Sequence, residues 1–172
     1  VNLYLRLLWL WLKTRREPLV PHLEPSRLEL RVWPNDLDLF RHMNNGRYLT
    51  LMDLGRLHIV IRSGLLGVMR KRKWHAAAAV AEIRFRRPFK LWQRYSLVTE
   101  IVDWDDSWFL FEQRFESAGK RHARALLQAQ FRHQRERVPT AMVLEAVGMR
   151  GEPSPAGGRL LEQFALGVRG DE

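Results

Sequence analysis

One segment limits the fold more than any other. Residues 47–63 read as a single helix, and Tyr48, Leu49, Leu51, Met52, Leu54, Leu57, Ile59, Val60 and Ile61 leave it few polar directions. A helix that is apolar on most sides must be covered on most sides. Asn44 and Asn45 suit its start and Gly64 its end. Residues 67–75 read as a basic loop, and the period then switches to two. Ala79, Ala81, Ile83 and Phe85 alternate with Glu82, Arg84 and Arg86, and Pro88 ends that strand. Tyr95, Leu97, Thr99 and Ile101 begin the next; residues 104–107 form a hairpin turn; residues 108–115 are a third strand; Ala118 and Gly119 turn again. Ala123, Ala125, Leu127, Ala129 and Phe131 give the cleanest alternation, with Arg124, Gln128, Gln130 and Arg132 facing the other way. An earlier strand runs from Ser26 through Leu28, Leu30 and Val32 to Trp33, where Pro34 and Asn35 end it.

One strand, one buried helix and a meander of four strands predict an α+β domain, a curved antiparallel sheet wrapped around one long central helix. The small residues at 123–129 would let the helix sit close. This domain is expected over residues 26–149. Residues 1–25 read as an N-terminal apolar and basic extension with a linker containing Pro18, Pro21 and Pro25. Residues 150–172, rich in Gly and Pro, read as a flexible C-terminal tail. The apolar run at residues 1–12 is shorter than the roughly 20 residues that a bilayer span needs. Its charges, Lys13, Arg15 and Arg16, follow the apolar stretch, unlike those of a signal peptide. It reads either as a helix docked on the domain or a partner, or as an interfacial helix with peripheral membrane contact through residues 1–16.

The 172 residues carry 29 Lys and Arg against 19 Asp and Glu, a formal net charge of +10. That balance admits nucleic acid, a membrane surface or an acidic substrate. No nucleic-acid recognition motif accompanies it, so no nucleic acid is expected. The excess is local: ten positive residues fall between Arg62 and Arg94, with Glu82 the single acid. The absence of cysteine excludes a disulfide scaffold, a cysteine-ligated metal and a cysteine nucleophile, and fits a cytoplasmic setting. His58, His122 and His133 show no metal spacing, and neither metal nor cofactor is assigned.

Chemistry concentrates at residues 33–56, where Asp36, Asp38, His42, Asn44 and Asn45 fall within ten positions just before the buried helix. A helix N-terminus offers unpaired N–H groups and the positive end of a dipole, which can polarise a carbonyl. A carboxylate beside it can act as base or nucleophile. The same residues are also the ordinary material of turns and caps.

The string resembles the hot-dog-fold thioesterases, in particular the 4-hydroxybenzoyl-CoA thioesterase-like superfamily. Its motif D-x-D-x-x-G-H-V-N-N-x-x-Y-L is followed by an acid and an Arg. Asp36, Asp38, His42, Met43, Asn44, Asn45, Tyr48, Leu49, Asp53 and Arg56 stand in the corresponding places. Residues 83–88, ending in Arg87 and Pro88, look like the family's first meander strand. Residues 104–108 and 112–115 resemble the branch of the animal thioesterase superfamily member proteins.

The resemblance implies the hot-dog fold and an acyl thioester hydrolase acting on acyl-CoA or acyl-carrier-protein thioesters. It implies a homodimer or homotetramer with sites at subunit interfaces. It makes Asp38 the catalytic carboxylate, with His42 beside it and the polarising N–H near Asn45 or Gly46. Tyr48, Gly46, Arg84, Arg86 and Arg87 are the expected substrate-binding residues, the arginines suiting CoA phosphates. Phe40 stands where one branch has a functional Asn, and Arg41 where a Gly is common. The alternative is a non-catalytic acyl- or lipid-binding protein at the inner membrane face.

Overall fold

The computed structural model describes residues 2–20 and 22–169. Val1 of the expected extension, Pro21 of the linker and residues 170–172 of the expected tail lie outside the described residues. The long helix forms as its pattern requires, as α2 (Asn45–Arg62), preceded by α1 (Asn2–Thr14) and β1 (Ser26–Arg31). Asn44 caps it, its side-chain oxygen accepting the Gly46 N–H at 2.8 Å. After α2 come α3 (Leu65–Arg72), β2 (Trp74–Phe85), β3 (Arg94–Trp104), β4 (Phe109–Ser117), β5 (Lys120–His133), the short β6 (Glu136–Val138), α4 (Thr140–Ala146) and α5 (Arg159–Arg169).

The strands form one curved antiparallel sheet in the order β1-β3-β4-β5-β2, with β6 added to β5. Only β3-β4-β5 is a meander. β2 does not hairpin with β3 as expected; it crosses to pair with β5 and becomes the far edge. Alternation settles which face a strand buries but not which neighbour it takes.

The buried side of α2 (Tyr48, Leu51, Met52, Leu54, Ile59) meets Leu28, Leu97, Phe115, Ala123, Ala125 and Leu127 in one core. The helix comes close to the sheet at Gly55, over Thr99 and Gln113, the latter paired with Ala125 of the alanine-containing strand. A Cβ there would lie 2.1 Å from Thr99 Oγ1 and 3.1 Å from Gln113 Nε2. Gln113 is fully buried beneath the helix. Its amide donates to Thr99 Oγ1 (2.8 Å) and to the Met52 carbonyl (2.9 Å), and its oxygen accepts from Arg56 Nη1 (2.5 Å). A fully satisfied polar cluster of this kind fixes how the helix lies on the sheet.

Two expectations fail for identifiable reasons. The basic loop at 67–75 is mostly helical: Leu65, Val68 and Met69 pack inward while Arg70, Lys71 and Arg72 stay exposed. The left-handed Gly64 and Lys73 bracket it. The flexible tail is held instead. Asp103 of β3, fully buried, accepts the N–H groups of Gly158 (2.8 Å), Leu160 (2.8 Å) and Leu161 (3.0 Å) and the hydroxyl of Ser154. Burial alone would raise its pKa; these bonds outweigh that and hold it below the usual carboxylate value. A strand carboxylate thus caps α5, whose Leu161 and Phe164 pack on Leu110.

Gly55→Ala should separate helix propensity from packing. Propensity alone favours Ala by about 1 kcal/mol, whereas overpacking against Thr99 costs about 1–3 kcal/mol. The expected result in denaturant unfolding is a net loss of stability; a gain would mean that α2 is free to lift from the sheet.

Candidate active site

Residues 37–43 form a small hairpin. Leu37 and Met43 bridge, and the Asp38 N–H donates to the His42 carbonyl at 2.8 Å. Asp38 and His42 therefore face each other at its base, with Leu39, Phe40 and Arg41 exposed at its tip. Arg41 adopts the left-handed conformation (φ 61°), which accounts for the family's glycine at this place. Asp38 Oδ1 accepts the N–H groups of Phe40 (2.9 Å) and His42 (3.2 Å), so one oxygen braces the turn. Its second oxygen makes no hydrogen bond among the described residues, and neither does the half-buried His42 imidazole.

The loop is held at both sides. Asn44 N–H donates to the Asp36 carbonyl (2.8 Å), Met43 N–H donates to the Phe89 carbonyl (3.0 Å), and Lys90 bridges to His42. Immediately beyond, Gly46 N–H is taken by Asn44, and the N–H of Asn45 is left without a hydrogen bond among the described residues. Asp38, His42 and the open N–H of Asn45 are thus gathered at the start of a buried helix. That end carries partial positive charge and suits a developing oxyanion.

Asp36 has a different job. It is fully buried and binds Arg6 of α1 (Nη2 at 2.5 Å, Nη1 at 3.3 Å), Arg47 of α2 (Nε at 3.2 Å) and the Trp33 N–H (2.9 Å). No spacing in the sequence links Arg6 to this cluster, so its part was not legible there.

The expected substrate-binding residues separate. The Tyr48 ring is 2% exposed, set edge-on to Phe85 (5.0 Å) and Phe115 (4.9 Å) and stacked on Phe89 (6.1 Å). It is a core residue, which corrects the expectation that it touches substrate; burial pushes its phenol up to about 12. Gly46 lies at the helix start, and a Cβ there would press Asn44 Oδ1 at 3.1 Å. Arg84 pairs with Glu82 (2.7 Å), while Arg86 and Arg87 are exposed just past Phe85, at the α2 N-terminal end. The basic residues of α3 adjoin the other end of α2, about 27 Å away by helix rise. Asp53 pairs with Arg56 on the helix, as their spacing suggests.

A second constellation imitates catalysis without access. Ser26 Oγ lies 2.7 Å from His58 Nδ1, and His58 Nε2 lies 2.8 Å from Glu17. Ser26 and His58 are 1% and 2% exposed, so no substrate reaches them. Burial pushes the imidazole below its usual value against the pull of Glu17, and Lys13 and Arg62 push the same way. Burial also acts to raise Glu17, but hydrogen bonds from His58 and Lys13 outweigh it and hold that carboxyl low. Neutral His58 then accepts from Ser26 and donates to charged Glu17. The described residues contain no cluster of metal-ligating side chains.

The sheet curled around α2, with this polar turn at the helix start, defines a hot-dog-fold protein of the thioesterase type. The family model of the thioesterase-like superfamily matches residues 32–152, and the chain belongs to that family. Protein THEM6 of Xenopus laevis is 41% identical over 106 residues, 60% of this chain and 51% of that protein. The chain spans about half the length of the curated relatives it matches. Two solved structures share the fold. The 1,4-dihydroxy-2-naphthoyl-CoA thioesterase of Synechocystis has a TM-score of 0.63 and 15% identity over 76% of this chain and 100% of that one. A gentisyl-coenzyme A thioesterase has a TM-score of 0.64 and 18% identity over 70% and 99%.

Two outcomes test the local chemistry. Asp36→Ala strands the Arg6 guanidinium in the interior and should cost about 3–5 kcal/mol in chemical denaturation. Adding Arg6→Met should recover part of that loss; strict additivity would show that the pair is not coupled. Because folded His58 resists the proton that unfolded histidine accepts near pH 6.5, stability should be full above that pH and fall below it. Thermal melting from about pH 7 to about pH 5 should show a smaller drop for His58→Gln than for the wild type, and an equal drop would assign the effect elsewhere.

Proposed function

We propose that the protein hydrolyses acyl thioesters, with acyl-CoA as substrate. The observation that carries this reading is the unengaged second oxygen of Asp38 in the turn that leads directly into the buried helix, whose first N–H, that of Asn45, is open among the described residues. Asp38 takes a proton from water, whose oxygen adds to the thioester carbonyl carbon, or its own oxygen adds directly. Charge developing on the carbonyl oxygen meets the Asn45 N–H and the helix dipole. The tetrahedral centre collapses, the C–S bond breaks, and the thiolate leaves and takes up a proton; on the direct route this leaves an acyl anhydride on Asp38, which water then hydrolyses to the free acid and the restored carboxylate. In this reading His42, whose backbone faces Asp38 across the turn, holds or passes that proton.

Membership of the thioesterase-like superfamily and the CoA thioesters named for the two solved relatives support the substrate class. Lys90, bridged to His42, and the exposed Arg86 and Arg87 just past Phe85 would meet the CoA phosphates, whereas Arg84 lies on the sheet's outer face with Arg124 and α5. β2 supports a homodimer: it is a twelve-residue edge strand, exposed over most of its length, with β5 as its partner on one side. A second β2 laid against it would bring the partner next to Phe85 and hence to the α2 start.

One observation favours membrane contact as an added or alternative role. Tyr4, Leu5, Leu8, Trp9, Trp11 and Leu12 of α1 are exposed, with Lys13, Arg15 and Arg16 behind them. Among the described residues no helix is long and apolar enough to cross a membrane.

Steady-state hydrolysis of an acyl-CoA panel tests the main reading. The wild type should turn over at least one thioester, and Asp38→Ala should lower kcat by about 10²–10⁴-fold. An unimpaired variant would overturn the role of Asp38; no hydrolysis of any thioester by the wild type would overturn the activity.

A further inference from the structure

β1 ends the sheet, and α1 lies near the Arg31 end of that edge strand. Arg6 Nη2 ties the two together by donating to the Arg31 carbonyl at 3.0 Å. An open groove of about 710 Å³ lies between them. That volume lies within the range of roughly 300–1,000 Å³ typical of small-molecule sites. Leu5 and Trp9 of α1, Leu30 of β1 and Trp33 form its apolar walls. Asp38, His42 and Asn45 do not line it, so it is separate from the candidate active site.

The groove has a charged mouth. Arg31 and Arg94 stand directly opposite each other across the β1–β3 ladder, on the outward face of the sheet, and both line the groove. Neither makes an ion pair among the described residues. The adjacent acid, Glu29, is already engaged by Arg27 (3.1 Å) and Ser96 (2.8 Å). Like charges facing each other across a ladder destabilise it. An anion seated between the two guanidiniums would relieve that repulsion with charge-assisted hydrogen bonds. An apolar trough ending in an uncompensated pair of arginines matches one ligand chemistry, a long hydrocarbon chain that ends in a carboxylate.

We propose that this groove binds a long-chain fatty carboxylate, its tail along Leu5, Trp9, Leu30 and Trp33 and its head between Arg31 and Arg94. The site goes beyond the hydrolase reading and holds whether or not Asp38 turns over thioesters. Equilibrium dialysis of radiolabelled palmitate against the full chain, kept below micellar concentrations, tests it.

The expected result is saturable binding that Arg31→Gln with Arg94→Gln weakens by at least about tenfold, since charged hydrogen bonds are lost. Arg31→Lys with Arg94→Lys should retain binding, which controls for folding. Hexadecanol, with the tail but no charge, should compete poorly. Asp38→Ala should bind palmitate as the wild type does. The proposal is overturned by non-saturable uptake, by Gln variants that bind normally, by equal competition from hexadecanol, or by loss of binding in Asp38→Ala, which would place the palmitate at the other site.

Discussion

The Asp36 carboxylate is the interaction on which the rest depends. It is fully buried and ties together three parts of the chain: α1 through Arg6, the site hairpin through its own backbone, and α2 through Arg47. A buried charge is tolerated only when paired and hydrogen-bonded, and here both oxygens have partners. The arrangement also corrects a local conflict. Arg47 sits in the first turn of α2, where a cation opposes the helix dipole; the carboxylate beside it restores the favourable sign. Asp38 can be left partly free because its neighbour two positions earlier carries the structural load.

Most of what places the site was readable from the residues. The all-round apolar pattern of residues 47–63 required a covering sheet, and the alternation at 123–131 supplied a strand of it. The D-x-D, His and Asn-Asn string pointed to the α2 start, and a hairpin just before that start sets the Asp38 backbone opposite that of His42. The misreadings share a cause. The placing of β2 against β5, the capping of α5 by Asp103, and the grip of Arg6 on Asp36 are all long-range choices of partner. Periodicity reports which side of an element is buried; it carries no information about what covers it. Helix α3 was hidden differently. Its three apolar contacts are followed at once by four consecutive basic residues, and the composition outweighed the spacing. Tyr48 belongs to a motif, yet its ring serves the core.

The positive charge, which first admits nucleic acid, resolves into separate places. Arg86, Arg87 and Lys90 stand by the hairpin and the α2 start; Arg84 lies on the sheet's outer face with Arg124 and α5; Arg70, Lys71, Arg72 and Lys73 lie with α3 at the far end; Arg31 and Arg94 face each other on the sheet's outer side. A net charge of +10 is thus several local fields. Each is short-ranged at physiological ionic strength, where the screening length is about 8 Å, so each is felt mainly in its own neighbourhood.

Asp103 bears on where the domain ends. All six strands lie before residue 139, and a boundary drawn by sheet content alone would discard residues 150–169. Such a shortened chain would keep the hot-dog sheet but bare Leu110 and leave a buried carboxylate with only the Trp104 N–H as its remaining donor. The C-terminal helix is therefore part of the smallest unit that satisfies its own interior. The last hydrogen bond to that strand's charge comes from Leu161, nine residues past the end of the match to the family.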